Sequence, residues 1–208
     1  MWRHGRCLGE YGRQGGAARY NGAGGNDPRA RTTLEFAERL PQDQKTQSFF
    51  DLDPGSFRQV FDLNFMGTFL TTQVFSRAMV AAGRGAIVNI SSMSAFMPLT
   101  KVAAYSAAKA AVSNFTQWLA VHFSHAGVRV NALAPGFFMT EQLRFLHVDR
   151  ATGKLLPRAG KVIAHTPMGR YGTADDLIGA LVWLLSDASS FVTGVVVPID
   201  GGFSSYSI

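Results

Sequence analysis

The stretch AIVNISSMSAFMPLTKVAAYSAAK, Ala86 to Lys109, decides how the chain is read. Ala86-Ile87-Val88-Asn89-Ile90 is an apolar run of strand length, and an alanine-rich helical segment follows after a loop. Tyr105 and Lys109 stand four residues apart. On a helix, positions i and i+4 share a face, so the ammonium can lie beside the phenol. A free phenol titrates near about 10, and an adjacent fixed cation favours the phenolate, so the spacing predicts an acid/base working closer to neutral pH. Ser92 stands thirteen residues ahead of Tyr105, where the strand delivers it to the same place. Its hydroxyl can hold the same substrate oxygen. The trio suits proton transfer to or from a carbonyl or alcohol oxygen.

Downstream, Gly127 ends the helix and Val128 to Ala134 reads as a second buried strand, parallel to the first because a long helix joins them. Pro135-Gly136 closes it at the carboxyl edge of the sheet, where ligands bind in open α/β folds. Thr173 is placed to cap a helix buried through Leu177, Ala180, Leu181 and Leu184, with Arg170 as its anchor. Val195 to Ile199 is the last strand, closed by Asp200-Gly201-Gly202. Upstream, Asp53-Pro54 opens a helix with an aspartate cap and a proline in the first turn. Its Phe57, Phe61, Phe65, Phe69, Leu63, Leu70 and Val74 predict a wide core-facing surface that runs to about Val80.

Read in order, Asn89-Ile90-Ser91-Ser92, Tyr105-Ser106-Ala107-Ala108-Lys109, Val128-Arg129-Val130-Asn131-Ala132, Ala134-Pro135-Gly136 with Thr140, and Asp200-Gly201-Gly202 form a series. It resembles the short-chain dehydrogenase/reductase (SDR) family from about Asn21 to the C-terminus. Asn21-Gly22-Ala23-Gly24-Gly25-Asn26, Asn114 to Phe123, and Pro135-Gly136-Phe137-Phe138 are similar to its D-mannonate oxidoreductase (fructuronate reductase) branch. The resemblance implies a Rossmann-like, doubly wound parallel sheet in three αβα layers and an NAD or NADP cofactor. The reaction would join a secondary alcohol and its ketone, with a sugar acid such as D-mannonate as substrate. Tyr105 would be the general acid/base, Lys109 would lower its pKa and bind the nicotinamide ribose, and Ser92 would polarise the substrate oxygen. Asn64, in Asn64-x-x-Gly67, would support the proton relay. Pro135, Gly136 and Phe138 through their backbone, and Thr140 through its hydroxyl, would face the nicotinamide. Asn21, Ala23 and Gly24 would line the cofactor after the fourth strand of the sheet. The resemblance also implies a homo-oligomer, tetramer or dimer, for which the alanine surface of the Tyr105 helix provides close approach.

An aldonate needs a fixed cation near its reacting carbon, which makes Lys101, four residues before Tyr105, a substrate contact or else a solvated loop lysine. Arg144 and His147, in the polar segment Glu141 to Thr166 where the family carries its substrate lid, are substrate contacts or solvated surface.

At 208 residues and 47 % hydrophobic the chain suits one domain. No apolar run approaches the roughly 18 residues of a membrane span, the N-terminus lacks a signal-peptide core, and Cys7 is the lone cysteine. These features predict a soluble, cytoplasmic protein with no metal cluster. The formal charge is +6, of which residues 1–31 carry +4: six arginines (3, 6, 13, 19, 29 and 31) against Glu10 and Asp27. The basicity therefore belongs to an arm, and no nucleic-acid module accompanies it. Residues 1–20 show neither helical nor alternating periodicity and read as a disordered arm, with the SDR-like domain over 21–208. By the resemblance, three strand–helix steps on the order of 80 residues, with the glycine-rich phosphate loop, belong ahead of Asn21. The domain therefore reads as lacking its first strands. The rival reading is a non-catalytic remnant that keeps the family's oligomer surface without a complete cofactor site.

Overall fold

A computed structural model describes residues 52–99, 102–149 and 152–206. The predicted arm, Asn21, Ala23, Gly24 and Lys101 lie outside them.

Asp53 caps α1 (Pro54–Phe61): its carboxylate accepts from the Ser56 backbone N–H at 2.7 Å, and Pro54 sets the first turn. One wide turn of π-helix, Asp62–Met66, joins α1 to α2 (Gly67–Ala81). Gly83 turns the chain with a left-handed φ of 64° into β1 (Gly85–Ile90). After a 3₁₀ turn at Met93–Ala95 comes α3 (Ala103–His122), then a second 3₁₀ turn and Gly127 at φ 69°. Next is β2 (Val128–Pro135), followed by α4 (Glu141–His147), α5 (Pro157–Ala164), α6 (Asp175–Leu185) and β3 (Val196–Ile199).

The strands lie in the order β1-β2-β3, all parallel, with Gly85 opposite Val128, Ile90 opposite Leu133 and Pro135 opposite Ile199. Side chains alternate across β2. Val128 and Val130 pack on Leu119 and Ala120 of α3, joined by Ile87, Met79, Phe115 and Phe123. On the opposite face the Arg129 guanidinium donates to the carbonyls of Leu184, Ser186 and Val192 and to Ser189 Oγ, at 2.9–3.3 Å, and so ties the end of α6 to the sheet. Helices cover both faces of a parallel sheet, as expected for three αβα layers. Among the described residues nothing pairs with the outer edge of β1, and no helix is long and apolar enough to cross a membrane.

Three local expectations are corrected. The apolar stripe of α1 and α2 is core only in part: Phe61, Phe65 and Phe69 are half-buried, with the Phe65 and Phe69 rings against Phe115 of α3, whereas Leu63, Leu70, Val74 and Phe75 are half or more exposed and the buried residues of α2 are Thr72 and Ser76. Small side chains sit at the buried positions of α2, which leaves Leu70, Val74 and Phe75 exposed. The helix of Tyr105 stops at His122, where the backbone tightens to 3₁₀ before Gly127. Thr173 does not cap α6 as an acceptor; its N–H and hydroxyl donate to the Asp176 carboxylate, which also takes both Arg170 nitrogens at 2.7 and 2.8 Å. Arg170 thus anchors the helix as expected.

Candidate active site

β1 ends at Ile90, and the chain turns so that Ser91 and Ser92 reach the N-terminal half of α3. Ser92 is buried and accepts from the Ser94 N–H and hydroxyl, and its side chain lies beside the Tyr105 phenol. Lys109 lies one helical turn beyond Tyr105, with its Nζ 5.6 Å from the centre of the phenol ring. Ser92, Tyr105 and Lys109 therefore come together. Burial pushes the Tyr105 phenol above its ordinary value, and the neighbouring Ser92 hydroxyl offsets part of that rise. The direction is opposite to the expected lowering by Lys109. Desolvation of the phenol prevails, while the half-buried ammonium has its own pKa pulled down and donates to the Ile90 carbonyl oxygen at 2.9 Å.

Asn64 sits in the π-helical turn, and its amide donates to the Val60 carbonyl at 2.9 Å. It lines, with Lys109, a cleft of about 420 Å³ that also takes in Leu63, Thr68, Thr72 and the end of β1 from Val88 to Ile90. Asn64 thus faces the same space as the ammonium, while its side chain bonds back onto its own helix. A second hollow of about 430 Å³, between Leu52 and Phe61, shares no lining residue with this cleft.

At the carboxyl end of β2 the backbones converge. A side chain on Gly136 would put its Cβ 2.6 Å from Asp200 Cβ and 2.7 Å from Asp200 Cα, so only glycine lets the turn at Asp200 approach. Phe138 pairs with Gly172, whose missing side chain leaves room for the Phe138 ring. Thr140 caps α4 by accepting from the Leu143 N–H at 3.2 Å, so its hydroxyl has a structural partner. Arg144 is exposed, 3.8 Å from Glu141 on its own helix. The solvated-surface expectation for His147 is corrected. It is 1 % exposed, and its Nδ1 lies 2.8 Å from the Tyr171 hydroxyl. The Tyr171 ring also packs on it, with centroids 5.6 Å apart, which spacing alone did not reveal.

Two further groups escaped the sequence reading. Ser91 Oγ is 2.6 Å from Ser113 Oγ and donates to the Lys109 carbonyl at 3.1 Å; Asn89 donates to Thr116 Oγ1 at 2.9 Å. The available signal was the spacing of Lys109, Ser113 and Thr116, which puts all three on the helix face toward β1.

A family model described as enoyl-(acyl carrier protein) reductase, one of the SDR models, matches residues 38–204. The chain belongs to the short-chain dehydrogenase/reductases. An uncharacterized oxidoreductase of Haemophilus influenzae is 53 % identical to this SDR chain over 188 residues, and one of Bacillus subtilis named UxuB is 52 % identical; each alignment takes in 90 % of the chain. The chain spans 65 % and 66 % of the length of these two relatives. A crystal structure from Haemophilus influenzae with bound NAD, provisionally named a D-mannonate oxidoreductase, superposes with a TM-score of 0.73 at 52 % identity, covering 89 % of this chain and 66 % of the other. A gluconate 5-dehydrogenase from Burkholderia cenocepacia in complex with NADP and tartrate gives 0.70 at 31 % identity, covering 86 % and 71 %.

Proposed function

We propose that the chain carries the proton-transfer site of an NAD(P)-dependent oxidoreductase that interconverts a secondary alcohol and its ketone, with a sugar acid of the D-mannonate/D-fructuronate type as substrate. The observation that carries this reading is the half-buried Tyr105 phenol beside Ser92, with the Lys109 ammonium one turn away. The protein fits the nicotinamide half of the cofactor: Lys109 and Asn64 line one open cleft, and the glycine contact at Gly136 shapes the carboxyl edge of the sheet. A bound nicotinamide supplies hydride transfer; the protein supplies geometry and the proton.

Tyr105, held protonated by burial, donates its phenolic proton to the substrate oxygen in the direction of ketone reduction. Ser92 keeps that oxygen in line by a hydrogen bond and steadies the phenol from the same side. The phenolate left behind is stabilised by the ammonium of Lys109 across a half-buried gap, where the attraction is less screened than in water. Asn64 supports the proton path from the cleft, and Pro135, Gly136, Phe138 and Thr140 form the nicotinamide-facing strip. Names among the relatives support the sugar-acid class, since D-mannonate and gluconate enzymes recur there. Lys101 and Arg144 are the cations offered to the carboxylate.

The exposed apolar rows of α2, with Trp118 and Val121 of α3, support assembly as a homo-oligomer, tetramer or dimer. The same rows, with an outer edge of β1 that nothing pairs among the described residues, favour a second reading: a non-catalytic remnant that retains its association surface.

Titration of the purified chain with NADH and NADPH by fluorescence separates the two. Saturable binding, with reduction of D-fructuronate that falls about a thousandfold in Tyr105→Phe while binding persists, supports the enzyme. No binding at millimolar cofactor supports the remnant.

A further inference from the structure

The polar contacts between β1 and α3 differ in what they hold. Asn89 reaches Thr116, which in turn donates to the Val112 carbonyl at 2.8 Å; this is a bond deep in the helix. Ser91, 1 % exposed, works one turn nearer the reacting groups. Its hydroxyl meets Ser113 Oγ at 2.6 Å and the Lys109 carbonyl at 3.1 Å, and Ser113 Oγ lies 3.2 Å from that same carbonyl. The Lys109 side chain is pinned from the other end, because its Nζ donates to the carbonyl of Ile90, the residue before Ser91. Backbone and side chain of Lys109 are thus both referred to two consecutive residues at the end of β1, Ile90 and Ser91, and the residue after them is Ser92.

We infer that the Ser91–Ser113 hydroxyl pair is a positioning device that fixes the height of α3 against the end of β1, and thereby the placement of Lys109 and Tyr105 relative to Ser92. The inference rests on the proposed role of these three residues but makes a claim of its own about Lys109. Along a helix each residue rises 1.5 Å, so an axial shift of about two thirds of that rise would already move the phenol about 1 Å relative to Ser92. A misplacement of about 1 Å can cost about a hundredfold in rate. Neither serine touches substrate; both act through Lys109.

The test uses the full chain and the variants Ser91→Ala/Ser113→Ala, Ser113→Ala, Ser113→Thr and, as a comparison, Thr116→Val. Thr116→Val removes a buried strand–helix bond that does not involve Lys109 directly. The first readout is competitive labelling of lysines by acetic anhydride, resolved by mass spectrometry, which follows Lys109 without cofactor or turnover. In the double variant the freed, more solvated ammonium moves back toward its ordinary basicity, so labelling of Lys109 at pH 8 falls relative to the other lysines of the chain. Ser113→Ala gives a smaller drop and carries the test should the double variant not fold. Ser113→Thr keeps the hydroxyl and the native labelling, and Thr116→Val lowers the melting temperature with Lys109 unchanged. In the reductase assay the double variant loses kcat with KM retained. Unchanged Lys109 labelling in folded Ser113→Ala and double variants overturns the inference, as does an equal change in Thr116→Val, which would mean general loosening. A wild-type chain without turnover would sink the proposed reaction and leave the labelling result standing on its own.

Discussion

Gly136→Ala and Gly179→Ala make the same chemical change with opposite expected signs. At Gly136 the new methyl would sit 2.6 Å from Asp200 Cβ and 2.7 Å from its Cα, against ordinary contacts of 3.4 Å or more. Asp200 cannot swing aside: its carboxylate accepts from the Gly202 and Ser204 N–H groups at 2.9 Å, and the Gly136 N–H donates to the Ile199 carbonyl at 2.9 Å. Relief must come from separating the end of β2 from the end of β3, an overpacking cost of about 1–3 kcal/mol. For a chain of this size that lowers Tm by about 5 °C. Gly179 lies inside α6 with nothing within 4 Å of an added Cβ. Its replacement by alanine should stabilise by about 0.5–1 kcal/mol, because a helical glycine gives up more backbone freedom than alanine. Scanning calorimetry or far-UV circular dichroism melts check both. If Gly136→Ala melts with the wild type, or Gly179→Ala falls as far as Gly136→Ala, the close approach at the carboxyl edge is not what fixes Gly136.

Three further outcomes are expected. Arg129→Met strips four acceptors of a half-buried guanidinium and should cost about 3 kcal/mol in urea unfolding, with Leu184, Ser186 and Val192 carbonyls left short of partners. His147 has its pKa pushed down by burial and by Arg158, so the unfolded chain takes up a proton before the folded one as pH falls below 6.5. Stability should therefore be flat above that pH and decline below it, and His147→Gln should flatten the decline in melts taken from pH 8 to pH 5. The Arg170 guanidinium, then the Thr173 backbone N–H, hold the Asp176 carboxyl well below the usual carboxylate range. Its contribution is full above pH 3.8 and is lost as pH falls through the lower folded value. Asp176→Asn should accordingly melt below wild type at pH 7 and converge with it in strong acid.

The fold and much of the site were legible because the features that set them are local. Ile87 and Val88 before a Ser-Ser pair, glycines at 83 and 127, and Asp53-Pro54 specify a strand, two left-handed turns and a helix start without knowledge of neighbours. The four-residue spacing of Tyr105 and Lys109 fixed their shared face for the same reason. Charge states were not legible, because they depend on what surrounds a group after folding: the phenol of Tyr105 moves up, not down, since burial outweighs an ammonium already engaged with Ile90. His147 was misread likewise. A polar residue between Leu146 and Val148 looks like surface until the Tyr171 hydroxyl supplies the partner that makes its burial tolerable. Part of the apolar stripe of α1 and α2 departed for the converse reason. Helical periodicity reports that a face avoids water but not what covers it, and Leu70, Val74 and Phe75 are exposed among the described residues. The consequence for the site is physical. Lys109 and Asn64 line one cleft with the end of β1, so what enters that cleft sets how much water reaches the ammonium. Desolvation already lowers the Lys109 pKa, and a ligand that displaces water from the cleft would lower it further unless it brings an acceptor for the ammonium.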